Sequence, residues 1–165
     1  MLLKKSELLT LNYSKLIKMK LVKDFEEFIE LLNKNKVKYL VVGGYAFAIH
    51  AYPRFTNDID FFILSSKANV DNIASALKEF GFDDLTISLE DLMKKDKVMQ
   101  LGEPPYRIDL LTSIDGVTFE EAWERKIKGN YGNQILYFIC KEDLIRNKKA
   151  TGRKKDMDDL QELKA

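Results

Sequence analysis

The segment Leu40-Val41-Val42-Gly43-Gly44 and, a short stretch further on, Asp58-Ile59-Asp60-Phe61-Phe62-Ile63 decide how this chain reads. The first is a strand that runs into a glycine turn. The second is a strand carrying two carboxylates among apolar neighbours. Side chains two residues apart in a strand point the same way, so Asp58 and Asp60 project together while Ile59 faces the packed side. Two like charges about 4 Å apart repel by roughly 4 kcal/mol at an effective dielectric of 20. Either one acid takes up a proton or a cation sits between them, and a divalent metal site is the economical reading.

Working outward, the bulk properties set limits. A chain of 165 residues, 45% hydrophobic and 32% charged, is long enough to bury a core without disulfides or structural zinc. A net charge of +1 gives no global attraction to nucleic acid or membrane, so any electrostatic partner must meet a local patch. The lone cysteine, Cys140, rules out an internal disulfide. Its place beside Ile135-Leu136-Tyr137-Phe138-Ile139 favours a buried thiol over a nucleophile. A single histidine, His50, argues against histidine-rich zinc sites and Cys-His catalysis, and a packed or capping role suits it better than that of a base. Lysines interrupt the N-terminal region and no apolar run reaches bilayer length, so the expectation is a cytoplasmic protein with no membrane partner.

Residues 1–20 lack a clear pattern and are expected to form an extension to a single domain over 21–165. From Asp24, the spacing of Phe25, Phe28, Ile29 and Leu32 predicts an amphipathic helix ending near Asn35. A strand is expected over Val37–Val42, a short helix over Tyr45–Ala51 and the acidic strand over Ile59–Leu64. Val70, Ile73, Ala74 and Leu77 mark a second helix, closed by Gly81. Further on come a short strand near Thr86–Ser88, a polar helical turn over Asp91–Lys97 and a strand at Val98–Leu101. Pro104-Pro105 turns the chain into a strand over Tyr106–Leu111. A helix over Thr118–Arg125, a strand over Gln134–Ile139 and helices over Lys141–Ala150 and Lys155–Leu163 complete the pattern. Interleaved strands and helices at this length imply one mixed α/β (α+β) domain, a short mixed sheet flanked by helices.

Asp109 is a third acid between apolar neighbours, Ile108 and Leu110. If its strand pairs beside Asp58 and Asp60, three carboxylates converge on one edge of the sheet. Such an oxygen donor set suits Mg²⁺ or Mn²⁺, which keep open positions for phosphate oxygens. The Gly43-Gly44 turn is the complementary part: backbone without Cβ atoms can approach a triphosphate, and helix N-terminal N–H groups face the anion. A plain structural reading of Asp109, as a cap or a partner of Arg107, accounts for neither Asp58 nor the glycines.

Gly43-Gly44, Arg54-Phe55-Thr56-Asn57-Asp58-Ile59-Asp60 and Arg107-Ile108-Asp109-Leu110-Leu111 together resemble the nucleotidyltransferase superfamily that shares its catalytic core with DNA polymerase beta. The pattern is closest to small bacterial members, the abortive-infection toxin-like proteins and the lincosamide and aminoglycoside antibiotic nucleotidyltransferases. Glu142-Asp143-Leu144-Ile145, Lys149, Gly152-Arg153, Lys155-Asp156 and Asp159-Leu160 also resemble the tail of the abortive-infection-like branch, so the resemblance spans roughly residues 37–163. It implies transfer of a nucleoside monophosphate from an NTP such as ATP to a hydroxyl, with pyrophosphate leaving. By resemblance, Asp58 and Asp60 would bind both metals, and Asp109 the catalytic one while helping to activate the acceptor. Gly43 and Gly44 would hold the β and γ phosphates. Many members carry Gly-Ser here, so the Gly-Gly pair departs from the commoner form.

Arg54 and Thr56, in the loop feeding the acidic strand, could touch nucleotide phosphates or hold Asp58; a local Arg–Asp pair on a surface loop is the other reading. The basic cluster Lys148, Lys149, Arg153, Lys154 and Lys155 is either a solvated helix end or a group in which Lys149 or Arg153 folds over the triphosphate, or which receives RNA phosphates. Trp123 and the phenylalanines read as core, with no aromatic–basic stripe for single-stranded bases. The acceptor could be RNA, protein or an antibiotic-like small molecule. An alternative function is partner binding, with an antitoxin, in a toxin–antitoxin or defence pair with weak or no catalysis. Metal-dependent phosphodiester hydrolysis is a third reading; it needs water as acceptor, and nothing in the sequence selects water over a hydroxyl.

Overall fold

The computed structural model describes residues 22–82 and 89–164. The expected extension over residues 1–20 and the strand expected near Thr86–Ser88 lie outside the described residues. Helix α1 (Lys23–Lys34) buries Phe25, Phe28, Ile29 and Leu32, the stripe its periodicity predicts. Strand β1 (Tyr39–Val42) is buried along its whole length and runs directly into α2 (Gly43–His50). Then follow β2 (Asp58–Ile63) and α3 (Lys67–Phe80). The Ser66 side chain caps α3 by accepting from the Asn69 N–H, and Gly81, at φ +112°, ends it in the left-handed conformation that a Cβ disfavours.

A 3₁₀ turn (Leu89–Met93) precedes β3 (Val98–Leu101), β4 (Arg107–Leu111) and α4 (Phe119–Glu124). Strands β5 (Ile127–Tyr131) and β6 (Gln134–Phe138) form a hairpin, and α5 (Lys141–Thr151) and α6 (Lys154–Lys164) end the chain. The sequence pattern does not reveal β5. Its run Ile127-Lys128-Gly129-Asn130-Tyr131 is half polar, and pairing with β6 along its full length holds it in the sheet. Gly129 lies against the Phe138 ring there, where a Cβ would come within 2.8 Å of a ring carbon.

The described strands form one six-stranded mixed sheet in the order β3-β4-β2-β1-β6-β5. Its pairs are antiparallel except β1–β6 and β2–β4, which are parallel. One face carries Tyr39, Val41, Phe61 and Leu110 and packs on α1 and α3, with Phe28 edge-on to Phe61 at 5.6 Å between centroids. On the other face Phe62 meets Phe119 of α4, at 5.2 Å, and the acids stand beyond it. The mixed α/β architecture expected from the sequence is thus observed, with one adjustment. The acidic strands β2 and β4 are interior to the sheet, so the carboxylates lie on its face instead of at a lateral edge. Among the described residues no helix is long and apolar enough to cross a membrane.

Candidate active site

The parallel register of β2 and β4 sets Asp60 beside Asp109 and Asp58 beside Arg107. Side chains at matched positions share a face, so three carboxylates and one guanidinium rise together, while Ile59, Ile108 and Leu110 are buried beneath. The Thr56 hydroxyl fixes the start of β2 by accepting from the Asp58 N–H at 3.4 Å and donating to the Asp58 carbonyl at 3.2 Å.

Arg107 lies between two of the acids. Its Nε donates to Asp109 Oδ1 at 2.8 Å, and its Nη2 to Asp109 Oδ2 and Asp58 Oδ2, each at 3.1 Å. The Asp109 hydrogen bond is the main cause of the upward shift of the Arg107 guanidinium's pKa. Asp60 receives no such bond from Arg107. Burial, then the charges of Asp109 and Asp58, raise its carboxyl from 3.8 to about 6, against the opposing pull of Arg107 and Lys155. Among the described residues no three acids already surround a common point. The donor set nevertheless fits a hard divalent cation: three carboxylates share one face, and burial and the charges of its two neighbours raise the carboxyl of the central one, which a bound cation would oppose.

The glycine bend stands directly beside Asp60. Gly43 has φ +65°, and a Cβ there would lie 2.2 Å from Asp60 Oδ2, so backbone conformation and space both require glycine. A Cβ on Gly44 would come within 3.2 Å of Thr56 Oγ1. Because α2 starts at Gly43 with no side-chain cap, its first N–H groups are available to an anion, and the helix dipole favours negative charge at this end.

These residues line a cavity of about 740 Å³ that also includes Arg54, Thr56, Lys148, Arg153 and Lys155. Its basic wall is built by α5 and α6. Buried Lys148 donates to Asp159 at 2.8 Å and Asp156 at 3.3 Å. Arg54 reaches from the loop before β2 to Asp159 (Nη1 to Oδ1, 2.5 Å; Nη2 to Oδ2, 3.2 Å), its guanidinium 4.1 Å from the Phe47 ring centroid. Burial alone would raise the Asp159 carboxyl, but hydrogen bonds from Arg54 and Lys148 hold it below the ordinary aspartate value. Asp156 is likewise lowered by Arg153, Thr151 and Lys148. The Arg54 partner is therefore a distant aspartate on α6, and neither a local loop acid nor Asp58.

The structure brings Asp58, Asp60, Asp109, Gly43, Gly44, Arg54, Thr56 and Arg153 to one cavity. Lys149 does not line it: that side chain is exposed, and its neighbour Lys148 faces inward. Helical phase decides between them, and the sparse apolar residues of α5 leave that phase hard to read from sequence. Sequence reasoning weighed Arg107 only as a plain structural partner of Asp109, a pairing that the structure does contain and that reaches Asp58 as well, and it did not place Asp159 in the site. His50 Nε2 is 2.8 Å from the Ile139 carbonyl, a structural bond. Cys140 is buried, and that burial pushes its thiol up to about 11.

An acidic pair on one strand, a third acid on its parallel neighbour and a glycine bend against them define a nucleotidyltransferase fold. The chain belongs to the family described as nucleotidyltransferase of unknown function (DUF6036), which matches residues 19–164, and it is accordingly a transferase. Among solved structures it is similar to the lincosamide antibiotic adenylyltransferase LnuA, lincomycin-bound. The TM-score is 0.57 and the identity 18%, over 88% of this chain and 98% of that one; at that identity the likeness concerns the fold. No curated protein matches the chain.

Proposed function

We propose that this protein is a metal-dependent nucleotidyltransferase that moves a nucleoside monophosphate from an NTP to a hydroxyl acceptor and releases pyrophosphate. One observation carries the reading: β2–β4 register sets Asp109 beside Asp60, and the Gly43 bend touches that same carboxylate. Mg²⁺ or Mn²⁺ bound by Asp58, Asp60 and Asp109 would neutralise phosphate charge and lower the pKa of the acceptor hydroxyl.

The chain's own groups do the remaining work. Gly43 and Gly44 present backbone N–H groups to the β and γ phosphates. Arg54, Lys148, Arg153 and Lys155 supply positive charge along the cavity wall, where the departing pyrophosphate gathers negative charge. Asp109, 6% exposed, accepts the proton of the attacking hydroxyl as the oxygen–phosphorus bond forms and the bond to the β phosphate breaks. The cavity volume lies within the range of ordinary ligand sites. LnuA is by its title a lincosamide adenylyltransferase, so a small hydroxylated antibiotic is tested beside RNA and protein as acceptor.

The test is incubation of the purified protein with each α-labelled NTP, Mg²⁺ or Mn²⁺, and lincomycin, total RNA or total protein. Label transfer with stoichiometric pyrophosphate, lost in Asp58→Ala, is the expected result. Failure to bind any NTP with either metal refutes the reading. Growth arrest on expression of a chain that binds partners but transfers nothing would replace it with the toxin–antitoxin alternative.

A further inference from the structure

At the opposite end of β1 from the glycine bend lies a second cavity, of about 530 Å³, lined by residues that include Lys36, Lys38, Lys128, Trp123, Tyr137 and Asn133. It shares no lining residue with the acidic cavity. Lys126 stands over the Trp123 ring, its Nζ 4.1 Å from the centroid, and lies 5.8 Å from the Tyr137 ring. Lys38 is 5.9 Å from the Trp123 centroid, and Lys128 is 6.0 Å from that of Tyr137. No acidic side chain lines the cavity, and none of these four lysines makes an ion pair among the described residues.

In a chain of net charge +1, Lys36, Lys38 and Lys128 along the cavity, with no ion pair among the described residues, and Lys126 beside them, its ammonium donating to the Trp123 carbonyl at 3.1 Å, are a concentrated positive potential. The rings hold these cations by their negative faces without cancelling the charge. The residues come from four places, the turn before β1, α4, the start of β5 and β6, so only folding assembles them. Lys36 occupies a left-handed position, φ +57°, that glycine or asparagine ordinarily takes.

We propose that this groove binds single-stranded nucleic acid, with phosphates on Lys36, Lys38 and Lys128 and a base against Tyr137, since the Trp123 ring is already taken up by stacked Phe119, at 5.6 Å between centroids, and by Lys126. The occupant must be anionic, and the Tyr137 ring and the amides of Asn133 and Gln134 favour one that also carries flat, hydrogen-bonding rings. An acidic peptide would match the charge and leave those groups unused. The inference is independent of the transferase reading, because none of the acids, glycines or phosphate-facing residues takes part.

Trp123 is the chain's only tryptophan, so its fluorescence reports on this groove alone. The full-length protein is titrated with an oligouridylate of about twelve nucleotides, within the site sizes of such binders, at salt from about 50 to about 200 mM. The expected result is saturable quenching with a log–log salt slope approaching about −2, the value for three phosphates on a single strand. Lys36→Glu with Lys128→Glu, both exposed, should weaken binding at least about tenfold and flatten the slope by about 1.4, two contacts' worth. Lys94→Glu with Lys164→Glu, exposed elsewhere, makes the same change in net charge and should leave binding intact. The proposal is overturned if no quenching occurs, if both double variants lose affinity equally, or if polyglutamate of matched charge binds as tightly as the oligonucleotide.

Discussion

Asp60→Asn should make the metal-free protein more stable while destroying its activity. Burial and two neighbouring carboxylates raise the Asp60 pKa from 3.8 to about 6. The folded state therefore keeps a proton that the unfolded chain has already released. With the folded value above the unfolded one, the contribution is intact below pH 3.8 and is lost as pH rises through about 6. At 1.36 kcal/mol per pH unit, ionised Asp60 costs the apo fold up to about 3 kcal/mol at pH 8. Asparagine keeps the shape and removes the charge. In a domain of this size each kcal/mol moves the melting temperature by roughly 2–4 °C, so the variant should melt roughly 6–12 °C higher in EDTA at pH 8. At pH 4 the two proteins should nearly coincide. Mn²⁺ should raise the wild-type melting temperature and leave that of the variant almost unmoved. Calorimetry in EDTA at both pH values, with and without Mn²⁺, is the assay. A variant that is no more stable than wild type at pH 8 would refute the electrostatic account of the site.

Other perturbations separate its remaining parts. Arg107→Met removes the guanidinium bridging Asp58 and Asp109, so the apo protein should melt lower. It should also bind Mn²⁺ alone on the order of tenfold more tightly, since no resident cation has to be displaced; titration of free Mn²⁺ by paramagnetic resonance reads this, and unchanged affinity would count against it. Asp159→Asn strips Lys148 and Arg54 of a buried carboxylate and should cost about 3–5 kcal/mol in urea unfolding, with a loss under 1 kcal/mol contradicting the network. Gly43→Ala meets both a left-handed φ and the Asp60 carboxylate and should abolish NTP binding by calorimetric titration. Gly81→Ala, with a left-handed φ and nothing within 4 Å of its Cβ, should cost only about 1 kcal/mol and bind normally.

Much of this protein was legible in one dimension because the relevant physics is local. Alternation in Asp58-Ile59-Asp60 puts two acids on one face whatever lies beside them, and the spacing of Phe25, Phe28, Ile29 and Leu32 commits that segment to a buried helix. Gly81 and Gly152, both left-handed, end their helices for a reason contained in a single residue. The diglycine and the third acid could be recognised as candidates on the same grounds.

Folding alone decided which candidates meet. Parallel β2–β4 pairing places Asp109 next to Asp60, and a slip by one residue would have turned it into the core. The same register makes Arg107 the counter-cation of the acids, and docking of α6 on the loop before β2 makes Asp159 the partner of Arg54. Strand β5 exists because β6 offers it a ladder, and the lysines beside Trp123 are scattered in sequence until β1, α4, β5 and β6 close around them. Propensity and periodicity act over a few residues. Charge pairing and cavity shape act through space, between segments whose separation along the chain carries no record of their distance in the folded molecule.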